Sequence, residues 1–147
     1  MAVSLRSRVV TSKKVRGSLG LPTDDVLSLV QKLKSGLSFA MLMDFVKNSG
    51  LALPEISQVL RIPPRTLARR KAEGMLTALE SERLARLAGL FDKAVELFEG
   101  NGVRALTWLR APSKALGSEP PLTLAETELG ARAVEDLIGR LEYGVYS

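Results

Sequence analysis

The side chains best equipped for chemistry cluster between residues 61 and 71: Arg61, Arg65, Arg69, Arg70 and Lys71, with no acid among them. A run of that composition binds anions. A guanidinium presents a planar fork of N–H donors that matches guanine O6 and N7 in the major groove, and an ammonium neutralises phosphates. Spacing sorts the run. Arg65 and Arg69 are four apart and share one helical face, Thr66 and Arg70 form the neighbouring row, and Leu67 points back toward a core. This assigns Arg65, Thr66 and Arg69 to base edges, and Arg61, Arg70 and Lys71 to phosphates. An ordinary solvated basic face is the alternative reading of the same residues.

Other chemistries are poorly provided for. The 147 residues include no Cys and no His. Disulfides and thiolate metal sites are therefore excluded, and the commonest general base and zinc ligand are missing. Asp, Glu and Lys remain, but they form no nucleophile–base pair or ligand cluster that can be named. The expectation is a non-enzymatic protein with no cofactor, no metal and no small-molecule substrate. No apolar run approaches the roughly 18 residues of a membrane span. Met1–Gly17 lacks the apolar centre of a signal peptide. A cytoplasmic protein is expected, without a membrane partner.

The elements that must position the basic run read as helices throughout. Thr23 is placed to cap a first helix with Asp24 and Asp25 in its first turn, Val26, Leu29, Val30 and Leu33 on one face, and Gly36 as its stop. Ser38 caps a second, with Phe39, Leu42, Phe45 and Val46 inward, ending at Asn48–Gly50. Pro54 opens a short third helix to about Leu60, with Arg61 and Ile62 as a tight turn. Pro63 and Pro64 then end one helix and begin the next, which Gly74 stops, because proline needs no N–H in a first turn. Two short helices joined in this way form a helix-turn-helix, whose second helix enters the major groove. Many such turns carry Gly where φ is positive; here that position is Arg61.

Thr77 and Glu80 match a capping box before a long helix to about Phe98. Leu84, Leu87, Phe91, Val95 and Phe98 mark its buried stripe. Gly100–Gly102 is a turn. A short helix carrying Trp108, a Pro-containing loop over 111–121, one helical turn at 122–125 and a final helix over Ala131–Tyr143 complete the chain, with Gly144 as cap. No β-hairpin signal is visible. The expected organisation is all-α: a disordered basic arm over 1–22, a helix-turn-helix module over 23–99, and a small helical module for dimerisation and partner binding over 100–147.

Charge follows the same division. Residues 1–89 carry fifteen Lys and Arg against seven Asp and Glu, and residues 90–147 carry six against nine. A basic front and an acidic back suit two surfaces with different partners.

The segment Ala105–Gly117, with Trp108, Leu109, Pro112, Ala115, Leu116 and Gly117, resembles the C-terminal core of the Xre/ParS/MbcA-type antitoxins. Pro120–Leu122 resembles that family's Pro-Leu turn. Gly130, Val134, Leu137, Arg140 and Leu141, with the ending Glu142–Ser147, resemble its terminus. Upstream, Pro64–Gly74 resembles its helix-turn-helix. The resemblance runs from about residue 35 onward and leaves out the first twenty-odd residues. It implies a RES-domain toxin as partner, one that depletes NAD. It further implies a homodimer that binds the double-stranded promoter of its own operon and lays its C-terminus into the toxin's NAD-binding cleft. Carried over, the toxin-binding residues are Tyr143, Gly144, Val145, Tyr146 and Ser147, with Arg140 nearby. Tyr146 would stack like a base, and the carboxylate of Ser147 would occupy an anion site. Without the resemblance, Trp108, Leu109, Leu116, Val134, Leu137 and Leu141 are most simply core. A plain helix-turn-helix regulator with no toxin, and a scaffold that binds no DNA, are the competing readings.

Overall fold

The computed structural model describes residues 15–22 and 25–144. Eight α-helices stand among them: α1 (Val26–Ser35), α2 (Phe39–Ser49), α3 (Leu53–Leu60), α4 (Pro64–Glu73), α5 (Ala78–Leu97), α6 (Gly102–Arg110), α7 (Pro121–Leu124) and α8 (Glu128–Glu142). The all-α expectation holds. One small exception precedes α1, where β1 (Val15–Arg16) pairs antiparallel with β2 (Leu21–Pro22).

The 20-residue α5 is the organising element. At 1.5 Å per residue it is about 30 Å long. Its Thr77 cap and Glu80 close the expected capping box: Thr77 Oγ1 accepts from the Glu80 N–H at 3.1 Å and Glu80 Oε1 from the Thr77 N–H at 2.9 Å. Leu84, Leu87, Ala88, Leu90, Phe91 and Ala94 are buried along it. They meet α2 and α3 in the first half of the molecule and α6 and α8 in the second. Phe45 of α2 meets Phe91 edge to face, with ring centroids 6.0 Å apart. A single core therefore runs through both halves.

Three expectations are corrected. The segment 15–22 was expected to be a disordered arm without hairpin signal, yet it packs. Leu19 and Leu21 are buried, the Ser18 N–H donates to Asp92 Oδ1 at 3.2 Å, and Asn48 Nδ2 donates to the Ser18 carbonyl at 3.1 Å. Two leucines in a basic segment gain enough burial to pin it against α2 and α5, with Gly20 at φ +72° turning the chain. The rest of the proposed arm, residues 1–14, lies outside the described residues. The cap of α1 is Asp25, whose carboxylate accepts from the Ser28 N–H at 3.3 Å; Thr23 and Asp24 lie outside the described residues. Finally, α8 starts three residues earlier than expected, at Glu128, because Thr127 Oγ1 accepts from the Gly130 N–H at 2.9 Å.

Candidate DNA-binding and partner-binding surfaces

The helix-turn-helix is built from α3, a three-residue turn and α4. Ile56, Val59, Leu60 and Ile62 are buried and hold α3 and the turn to the core. Leu67 anchors α4 from its inward side. The turn closes through the Ile62 N–H on the Ser57 carbonyl at 2.9 Å and the Arg61 N–H on the Gln58 carbonyl at 3.1 Å. Arg61 adopts φ 59°, ψ 44°, the left-handed conformation that the motif's usual glycine takes without cost. Arg83 of α5 donates to the Leu60 carbonyl at 3.2 Å and so satisfies one of the acceptors left open at the end of α3.

Arg61, Arg65, Arg69 and Lys71 are exposed and Thr66 is half-buried. None of the four cations meets an acid among the described residues. The first turn of α4 carries no acid. Arg70, expected among the phosphate contacts, differs from these four in having acidic partners. Its Nε donates to Glu80 Oε1 at 2.7 Å, and its Nη1 lies 3.4 Å from Glu73. The Arg70 and Glu80 side chains are only 13% and 10% exposed. Burial works to raise the Glu80 pKa, but the hydrogen bonds from Arg70 and from the Thr77 backbone outweigh it and hold the carboxyl below its usual range. One carboxylate oxygen thus ties the last turn of α4 to the capping box of α5. Arg70 thus holds α4 to the start of α5, and a phosphate would have to displace that pair to reach it.

The second surface is built on α6–α8. Asn101 caps α6, accepting from the Arg104 N–H at 3.1 Å. Ala105 and Leu109 are buried, while Trp108 packs half-buried against Phe98, with centroids 6.3 Å apart. Arg104 lies over the outer part of the same cluster, 5.3 Å from the Phe98 centroid. The loop after α6 folds back on itself, the Ser113 N–H donating to the Glu119 carbonyl at 3.1 Å, and delivers buried Pro121 and Leu122 to α7. Gly130 lets α8 start against this turn: a Cβ there would run into the Leu124 carbonyl oxygen. Ala131, Val134, Leu137 and Ile138 then bury one face of α8 along α5.

At the end of α8 the polarity changes. Arg140 is half-buried, and its Nε is enclosed with no partner among the described residues. Tyr143 is 85% exposed, and Gly144 leaves the helix at φ +71°. Arg140, Tyr143 and Gly144 therefore fall together at one helix end, while Val145, Tyr146 and Ser147 lie outside the described residues.

One contact the sequence did not announce joins the two surfaces. Arg110, the last residue of α6, donates from Nε and Nη2 to both carboxylate oxygens of Glu55 in α3, at 2.9 and 2.8 Å. The Arg110 hydrogen bonds, and that from the Ala52 N–H, hold the Glu55 pKa down against partial burial. Fifty-five residues separate the partners, and no local pattern pairs them.

The comparisons divide the chain along the same lines. Residues 28–89 match the Xre-like helix-turn-helix domain of antitoxins, and residues 93–144 match the Xre/MbcA/ParS C-terminal toxin-binding domain of antitoxins. A protein of Yersinia enterocolitica named Antitoxin Xre is 42% identical over 130 residues, 88% of either chain. A protein of Photorhabdus laumondii with the same name is 34% identical over the full length of both chains. The two matched regions change over between residues 89 and 93, inside α5.

Proposed function

This chain belongs to the Xre antitoxin family, and we propose that it neutralises a cognate RES-domain toxin while repressing its own operon. The observation that carries the first half is the match of residues 93–144 to a toxin-binding domain, together with the end of α8 it delivers. Tyr143 stands in solvent there, beside an arginine whose Nε has no partner among the described residues. An aromatic ring and an arginine are the side chains that most often anchor protein interfaces. In this reading the segment Tyr143–Ser147 enters the toxin's NAD-binding cleft, Arg140 secures its base, and inhibition is exclusion of NAD. The antitoxin performs no chemistry.

The second half rests on α4. Arg65, Thr66 and Arg69 read base edges in the major groove, and Arg61 and Lys71 hold phosphates. Two copies place two α4 helices about one DNA turn, roughly 34 Å, apart on a symmetric operator. The toxin-binding match and both relatives named as antitoxins favour this over a plain regulator.

The discriminating experiment removes residues 143–147. The truncated chain should bind operator DNA as before and fail to relieve the toxin. Full neutralisation by the truncated chain would return the assignment to the folded surface of α6–α8.

A further inference from the structure

Helix α1 is amphipathic in an unusual sense, since none of its ten residues is buried. Leu29 and Leu33 rest on the core. Along the edge of that face Val26, Leu27 and Val30 are 69%, 75% and 38% exposed. Val26 and Val30 are four apart and Leu27 stands beside them, so the three form one strip. Exposed apolar strips of this kind mark contact surfaces.

The cleft alongside the strip says what kind of contact. It is lined by Val30, Leu33 and Lys34 of α1, Glu82 and Arg86 of α5, and Glu128 of α8. Two cations and two anions therefore surround one apolar centre, on a chain whose net charge is +5. Lys34, Glu82 and Arg86 make no ion pair among the described residues, and Glu128 has only a 3.4 Å contact with Arg132. A nucleic acid would call for cations alone, and a strongly charged protein for one sign. A balanced set suits a second copy of the same surface. Under a two-fold axis the same patch meets itself, so Lys34 and Arg86 of each copy face Glu82 and Glu128 of the other.

We propose that α1 is the face through which two copies of this chain pair. The proposal rests on the reading of the chain as a paired operator binder and names the surface that does the pairing, on α1 and not in the 100–147 module where the sequence alone put it. It leaves the exposed cations of α4, which lie outside this cleft, free for DNA.

Sedimentation equilibrium of the full chain tests it, alongside binding to operator DNA carrying one or two half-sites. The wild type should be a dimer. Val26→Glu with Leu27→Glu should weaken self-association by roughly tenfold or more, with helical content unchanged. If the wild type is dimeric and the double variant is equally so, the α1 surface is overturned while paired binding stands. If the wild type is monomeric throughout and binds a single half-site as well as two, both readings fall. Should the double variant not fold, Leu27→Cys decides, since the chain has no other cysteine. A short bis-maleimide should then link two copies through α1, while Val103→Cys, equally exposed on α6, should stay unlinked. A dimeric Leu27→Cys sample that does not link would overturn the proposal.

Discussion

Arg69 and Arg70 are neighbours in the chain and point to different tasks: one stands in solvent, the other is closed into an ion pair with Glu80. Replacing Arg65 or Arg69 with Ala should weaken operator binding by about ten- to a hundredfold and leave the melting temperature unchanged. Lys71→Ala should weaken binding to every sequence alike and lower the salt slope by about 1. Arg70→Ala should instead lower the melting temperature, and affect DNA only through the loosened α4. Thermal unfolding and titration on operator and scrambled DNA, run side by side, separate the classes. The same pair gives a pH signature. The folded-state pKa of Glu80 is depressed, so its contribution is complete above the ordinary glutamate range and lost as pH falls through and below it. Glu80→Gln should flatten that part of the acid-unfolding curve; an unchanged curve would show that Glu80 is not a significant acid-sensitive group. At this scale the sequence was half legible. Spacing put Arg65 and Arg69 on one face, but it could not separate Arg70 from Lys71. The partner that claims Arg70 comes from the next helix and is brought there by tertiary packing.

Several helix ends were legible because capping is local chemistry, although the cap of α1 and the start of α8 were misplaced. Ser38, Thr77 and the Pro63–Pro64 break are where the side chains require them. The turn of the helix-turn-helix shows the limit of local rules, since Arg61 holds a glycine's conformation. Arg61→Gly should therefore be neutral or stabilising by up to about 1 kcal/mol, and Arg61→Val destabilising by about as much or more. Denaturant unfolding of the two variants checks the sign. The opposite sign is expected at Gly130. Within a helix Gly→Ala ordinarily gains about 1 kcal/mol, but here the new methyl meets the Leu124 carbonyl. Gly130→Ala should lower stability and loosen the α7–α8 corner. The small hairpin at 15–22 was illegible for the reverse reason. Its strands are two residues each, too short for any alternation, and burial of Leu19 and Leu21 fixes them from outside the segment.

At the scale of the molecule, a basic front and an acidic back pointed to two surfaces, and two domain models match the chain, over 28–89 and 93–144. What charge could not reveal is how closely they are joined. Both share α5, and Arg110 in the region matched to the toxin-binding domain holds Glu55 near the start of α3, the first helix of the helix-turn-helix. The proposed neutralisation concerns the end of the chain, of which the exposed Tyr143 closing α8 is the described part. Its most direct test is cellular NAD in bacteria expressing the cognate RES-domain toxin with no antitoxin, with the full chain, or with the chain ended at Glu142. NAD should collapse with toxin alone, recover with the full chain and stay depleted with the truncated one. Recovery with the truncated chain would contradict it, as would NAD that the toxin never depletes.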